Sequence, residues 1–371
     1  MALRYGKYGS YNQTVGVRLD MDDAIQILSP SDVPLQGRLR TDTTNQVKVE
    51  WLEEDLTAQS VTIQTSGVSG TASPWTITVD DSSVLRPGDV LWNQTVGTSS
   101  RQFTVTSINT GANTAVIASF AGTDDTMDPA DGDVLVIVGQ YRVEGSDPEE
   151  ARSVERTSKY NYTQWGQERV EATRTARKRG LYGQGDPYDH EVQKKFKELA
   201  IRFERSLVHG QRAISSDSKS RMMGGLLYFI ATNTASNTKA NASTAINTLV
   251  KACYEAGGNP STLMVSPSVK AAISANTPVG LRTERADNTA GTVVDRIMTD
   301  FGEVNLVVNR FFPKTKGILL QEEFLSRVNF DPYFHELLAK TGDADKGHIV
   351  GEFSLRVKNE KAHGILTLTD A

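Results

Sequence analysis

Residues 186 to 210 read DPYDHEVQKKFKELAIRFERSLVHG, and this run constrains the chain more than any other. Asp186 supplies an N-cap, Pro187 a first-turn proline and Gly210 a stop, so both helix ends are written in the sequence. Between them Val192, Phe196, Leu199, Phe203 and Leu207 step by four, three, four and four, a single apolar stripe. Glu191 with Lys195, and Glu198 with Arg202, are placed to pair along the flanks at i,i+4. At 1.5 Å per residue the helix is about 35 Å long. That is long for a globular domain, and the spacing predicts a beam laid across a flat molecule.

With 371 residues, 38% of them hydrophobic, the chain should form two or three compact units. Its net charge of -5 argues against a dedicated nucleic-acid binder, which carries a clear basic excess. One cysteine, Cys253, rules out an internal disulfide framework and suits a reducing compartment. Cys253 falls on the inward face of a predicted helix, as a small buried hydrophobe and not a nucleophile. The N-terminal MALRYGKYGSYNQTVGVRLD lacks the apolar core of a signal peptide. The run MMGGLLYFIA falls far short of the roughly 18 apolar residues that suggest a membrane span. The sequon at Asn93 therefore carries no weight, and folding in a cytosol is expected.

Three regions differ in texture. Residues 1–60 are polar and sparsely periodic, with a bend at LSPSDVPLQG where two prolines forbid a helix. Residues 61–140 contain no lysine and no glutamate, and carry short alternating runs such as WTITV, RQFTVTSI and DVLVIVG. Turn signals separate these runs, which predicts a small all-β sandwich or barrel with an acidic, solvated surface. Residues 151–180 reverse the sign, with eight Arg or Lys against three Glu. A run ending in RKRG suits nucleic acid or an acidic patch on another subunit, and charge alone favours neither. From 221 onward helices alternate with strands. Ser243 opens a helix through Ala256 with Ile246, Leu249, Val250 and Cys253 inward. STLMVS, EVNLVVNRFF, KGILLQEE, RVNF, GEFSLRVKNE and GILTLT read as strands, PSVKAAISA as a short helix, and TPVGLRTERADNTAG as a mobile loop. The body is thus an α+β domain on a mixed or antiparallel sheet.

The stretch KTGDADKGH, residues 340–348, looks like a ligand loop but fails each template. A calcium loop needs a bidentate glutamate at its twelfth position, where Ser354 stands. A phosphate loop needs Gly-Lys-Ser/Thr after its four spacers, and His348 and Ile349 follow Gly347. A tight turn before a strand is the better reading. Two His-Glu beginnings, at His190 and His335, lack the second histidine of a zinc helix, since Lys194 and Ala339 occupy its place. There is no Gly-x-Ser-x-Gly elbow and no dinucleotide fingerprint. A pair of carboxylates for glycoside hydrolysis needs no sequence proximity, so sequence leaves it open.

Five segments in order carry a family resemblance: ILSPSDVPLQGRL (27–39), VEWLEEDL (49–56), VEG with NYTQ (143–145, 161–164), KKFKELAIRFERSLVHG (194–210) and LLAKTGDADKGHIVGEFSLRVKNEKAHGIL (337–366). The chain resembles the major capsid proteins of tailed double-stranded DNA bacteriophages with the HK-97-like fold, in a subgroup with a β-rich insertion. Val33 and Leu35 stand where that pattern has a threonine and an aromatic.

The resemblance implies an α+β HK-97-like capsid fold with five parts. These are an N-terminal arm (1–35), an extended loop (36–60 and 141–180), and an inserted β-domain (61–140). A peripheral domain (181–220 and 337–371) with a spine helix 187–209, and an axial domain (221–336), complete it. The C-terminal strands from about 348 would return to the peripheral sheet. It implies a structural virion protein without catalysis or cofactor, self-assembling in the bacterial host cytoplasm into the hexamers and pentamers of an icosahedral head around DNA. DNA contacts would be non-specific, with no membrane involved. Partners would be a separate scaffolding protein, a portal and a decoration protein. Candidate inter-subunit contacts are Trp51, Glu53, Glu54, Arg174, Arg177, Lys178 and Arg179, and Lys48 is the candidate for a lysine–asparagine cross-link. The competing readings are a phage tail or adhesion protein whose β-module binds carbohydrate, and a bacterial nanocompartment shell, which shares the fold.

Overall fold

Pro34 presets the first turn of a short helix, α1 (Pro34–Arg38), whose Leu35 is buried. This computed structural model describes residues 33–95, 102–120, 128–147, 149, 151–179, 185–217, 219–276, 295–340 and 342–370. The expected arm up to residue 32 and the whole of the expected mobile loop (277–291) lie outside the described residues. The chain divides into two compact units, residues 52–157 and the remainder.

Strands β1 (Arg40–Thr43) and β2 (Lys48–Glu53) follow α1. The second unit is built on β3 (Ser60–Ser69), β4 (Trp75–Val79), β5 (Asp89–Asn93), β6 (Gln102–Asn109), β7 (Thr114–Ser119) and β8 (Val134–Gln140). These close into a barrel in the order β3-β4-β7-β6-β5-β8. Period-two alternation fills it: Trp75, Ile77 and Val79 of β4 point inward while Thr76 is exposed. The expected solvated acidic surface is in part a set of turn clamps. Asp131 accepts from the Ser66 and Gly67 amides at 2.6 and 3.1 Å, and Asp81 from that of Ser83 at 2.9 Å. Asp133 and Asp89 are buried, the first accepting from Asn93 Nδ2 at 2.6 Å and the second from the Arg86 amide at 2.8 Å. Carboxylates satisfy turn amides that have no strand partner.

The first unit resumes with β9 (Thr157–Tyr162), β10 (Gln164–Thr173), α2 (Arg174–Lys178), the long α3 (Pro187–His209), β11 (Ala213–Ile214), β12 (Arg221–Met222), α4 (Leu226–Phe229) and β13 (Thr234–Thr238). Then come α5 (Ala242–Glu255), β14 (Thr262–Val265), α6 (Pro267–Asn276), β15 (Arg296–Thr299), β16 (Gly302–Val308), β17 (Lys316–Leu320), β18 (Leu325–Leu337), β19 (Ala344–Val357) and β20 (Gly364–Thr369). A four-stranded sheet has the order β1-β18-β19-β10, and a six-stranded sheet the order β13-β20-β17-β14-β16-β15. β2 pairs with β9 as a separate two-stranded ribbon.

Helix α3 lies on the four-stranded sheet. Phe203 and Leu207 share a core with Leu35, Phe353, Leu355 and Val357, while Leu199 meets Val170 and Ile349. Asp186 caps it as expected, accepting from the Tyr188 amide at 3.0 Å. Its flank pairs differ from expectation. Lys195 bonds Glu198 at 2.6 Å, the carboxylate on its C-terminal side, in place of the predicted Glu191, and both Lys195 and Arg202 reach Glu168 of β10. The sheet offers these cations a fixed carboxylate, and Glu198 lies nearer at i,i+3. The second core, under α5 and α6, buries Ile246, Leu249, Val250 and Cys253 against the six-stranded sheet. Burial pushes the Cys253 thiol up to about 11, so it is an inert packing group.

Three boundaries expected from sequence move. β18 pairs with β19 in the four-stranded sheet, where the resemblance implies an axial position for residues 325–336. β20 runs parallel to β13 in the six-stranded sheet, where the resemblance implies a place in the peripheral one. The residues between β19 and β20 carry Asn359 at φ 48, a left-handed turn that redirects the chain. β1 and β10, expected in the extended loop, are edge strands of the four-stranded sheet; only β2 and β9 pair with each other.

Candidate assembly surfaces

The KTGDADKGH stretch, residues 340–348, resolves into an electrostatic junction. Gly342, at φ 140, makes the turn, and the strand β19 begins four residues earlier than the motif's end suggests, at Ala344. Its two aspartates face the basic helix α2. Arg174 Nε donates to Asp343 Oδ1 at 2.7 Å. Arg177 donates to Asp345 Oδ2 at 2.5 Å and to both carboxylate oxygens of Asp186. Lys340 adds a bond to Asp345 Oδ1 at 2.5 Å. The guanidinium of Arg177 also lies 5.6 Å from the centre of the Tyr188 ring. Arg177 holds the Asp186 carboxyl below the usual range, and Lys340 followed by Arg177 does so for Asp345. The loop is an internal clasp tying α2, the start of α3 and β19 together.

The predicted contact residues therefore separate. Arg174 and Arg177 are engaged within the chain, the first by Asp343 and the second by Asp345 and Asp186. Lys178 and Arg179 are exposed, and neither has a carboxylate partner among the described residues. Trp51 is 6% exposed and its ring packs 5.8 Å from that of Phe229, so it too is internal: alternation on β2 turns it toward the body. Glu53 ends β2 half-buried. Glu54 pairs with Arg156 Nε at 3.0 Å across an exposed surface. Lys48 bonds Glu50 and sits 4.3 Å above the Tyr160 ring. Glu50 raises the Lys48 ammonium above its ordinary value. That favours the charged form, which is no nucleophile.

Glu204 belongs to no sequence motif. Glu204 is fully buried and accepts from the Leu35 amide at 2.9 Å, the Gln36 amide at 3.1 Å and Asn309 Nδ2 at 2.7 Å. Gln36 Nε2 adds a bond to the Ala200 carbonyl at 2.7 Å. Burial pushes the Glu204 carboxyl above its usual value, against the lowering by these donors. Glu204 thereby joins α1, α3 and the turn after β16. A glutamate beside the apolar stripe is the only sequence signal, and partners 169 and 105 residues away are invisible in a local pattern.

The four-stranded sheet is covered on one face by α3 and open on the other. The open face carries Trp165 at 61% exposure and Phe334 at 40%, with Val350 between their strands opposite both Gln167 and Phe334. Exposed apolar side chains grouped this way mark an interaction surface. Among the described residues no three His, Cys, Asp or Glu side chains converge as metal ligands, and no helix is long and apolar enough to cross a membrane.

Residues 8–370 match the sequence profile of the SU10 major capsid protein. The chain belongs to that family. Among curated proteins none is similar in sequence. Solved structures similar to this one include the capsid of an empty GTA particle, with 9% identity, a TM-score of 0.57, and coverage of 98% of this chain and 99% of that one. The capsid of Myoviridae phage XM1 is similar at 10% identity and a TM-score of 0.52, again over 98% and 99%. A structure from Mycobacterium phage Bobi is similar at 8% identity and 0.50, over 96% of each. Identities this low establish the fold alone, which is the HK-97-like capsid fold. Family membership carries the function: the chain is a structural shell protein of a phage virion, located in the capsid and associating with its own copies. The tail, adhesion and nanocompartment readings are not favoured.

Proposed function

We propose that this capsid subunit forms the hexamers and pentamers of an icosahedral head that encloses double-stranded DNA, assembled in the cytoplasm of a bacterial host. The single observation that carries the reading is the family match across residues 8–370. Residues 1–35 act as the N-terminal arm. The β2–β9 ribbon with its linkers acts as the extended loop, and lays its exposed side over the open sheet face of a neighbour. A two-stranded ribbon has little stability of its own, so burial against a second copy suits it. Lys178, Arg179, Glu53 and Glu54 contribute charge pairs at such contacts. The barrel faces outward, and a separate scaffolding protein, a portal and a decoration protein complete the particle. The chain needs no catalysis or cofactor, and many modest contacts sum to a stable shell. Packaged DNA is held by non-specific contacts.

Virions carrying this subunit, treated with nuclease and then opened, should release protected double-stranded DNA of uniform length. Particles that hold only protein cargo would contradict the enclosure of DNA.

A further inference from the structure

We infer that the outer edge of β10, from Trp165 to Glu171, is completed by an extended segment of a second copy of this chain, hydrogen-bonded main chain to main chain. The inference rests on the capsid reading and deepens it, by naming which edge the neighbour occupies.

The register decides which groups are free. β10 and β19 pair antiparallel without a shift from Gln164 opposite Phe353 to Thr173 opposite Ala344. Just beyond, the Arg174 amide donates to the Asp343 carbonyl at 3.2 Å, in the same register. Hydrogen-bonded pairs alternate along such a ladder, so the even-numbered residues 164 to 172 bond inward to β19. The amides and carbonyls of Trp165, Gln167, Arg169 and Glu171 therefore point away from the sheet. β10 is an edge in the strand order, and no partner strand lies beyond these residues among those described.

The residue before β10 shows that this side takes a strand. The Thr163 amide donates outward to the Val47 carbonyl at 2.9 Å. The chain's own segment thus occupies the line up to Thr163 and leaves it vacant from Trp165 onward, so an incoming strand would continue an existing ladder.

Of the devices that protect edge strands, residues 164–173 carry only charge, at Glu168, Arg169 and Glu171. They contain no proline, no lysine and no bulge, and they include the most exposed tryptophan of the described residues. Beside the edge, a cavity of about 240 Å³ is lined by Gln164, Gly166, Leu199, Phe203 and Tyr333 among others. Gln164 Oε1 is buried there without a donor. An extended segment supplies both main-chain groups for the edge and side chains for the cavity and for Trp165. A shell built from copies of one chain presents each subunit with such segments from its neighbours, which is why the occupant is a second copy.

The test compares assembled particles of the full chain with dissociated subunits, by hydrogen exchange resolved to single amides. Trp165, Gln167, Arg169 and Glu171 should exchange at least tenfold more slowly in particles, while the even-numbered amides are slow in both. Gln167→Pro removes one outward amide and leaves the inner ladder intact, so it should keep the parent's thermal transition within a few degrees yet form particles poorly. Particles whose odd-numbered amides exchange as fast as in free subunits would overturn the edge assignment and leave the shell reading standing. If the chain forms no particles even with its scaffolding partner, the shell reading itself falls, and the inference falls with it.

Discussion

Replacing Glu204 by alanine should loosen the start of the chain's folded body while leaving the two cores in place. The carboxylate is the acceptor for two backbone amides and one side-chain amide, and the Leu35 amide and Asn309 Nδ2 are both buried. A stranded buried donor costs about 1–3 kcal/mol, and two of them cost about 2–6 kcal/mol. The Gln36 amide is partly exposed and finds water. Removing a buried carboxylate that has no cation among its neighbours returns part of that cost, since burial already disfavours its charged form. The net is about 2–4 kcal/mol, which multiplies the local opening constant by about thirty to a thousand. Hydrogen exchange of peptides spanning residues 33–39 reads this directly. Glu204→Gln keeps one acceptor oxygen and should fall between the parent and the alanine variant. Unchanged protection of 33–39 in Glu204→Ala would refute the reasoning, as would equal loss throughout the chain.

Other perturbations follow from the same contacts. His363 is fully buried, with Nδ1 accepting from the Gln321 amide at 3.2 Å, and burial lowers it from 6.5 to about 4. A depressed histidine contributes stability that is present above 6.5 and is lost as pH falls through the folded value, about 3 kcal/mol in all. Denaturant midpoints should therefore drop between pH 6.5 and 4, and His363→Gln should flatten that slope. At the clasp, Asp186 and Asp345 are lowered, so its contribution is present above their ordinary value of 3.8 and is lost as pH falls through the lowered values. Protection factors of residues 174–179, taken relative to the intrinsic exchange rate at each pH, should fall in acid, and Arg177→Ala should show the same low protection at pH 7. A Cβ on Gly351 would come within 2.9 Å of Tyr333 Cε1, so Gly351→Ala should cost about 1–3 kcal/mol, with partial rescue by Tyr333→Ala in a thermal melt.

Helix α3 was legible because its caps and its stripe are local: Asp186, Pro187, Leu199, Phe203 and Leu207 do in space what their spacing implies. The barrel strands announced themselves by alternation and by turn residues. Strand partners were not legible, because pairing joins segments far apart in the chain. Nothing local in GILTLT says that it sits between β13 and β17. The charge run at 174–179 was visible, but its partners Asp343 and Asp345 lie 169 and 168 residues away, so a surface for a neighbour and an internal clasp looked alike. Trp51 and Glu204 fail for one shared reason. Composition records that an aromatic or an acid is present, and only the fold records which side of its strand or helix is covered.

The central claim is that copies of this chain build a shell. Negative-stain microscopy of the purified full chain after size-exclusion chromatography tests it most directly. Closed shells, rings or hexamer-sized plates are the predicted result. A monomer or trimer that persists at every concentration and salt would contradict it.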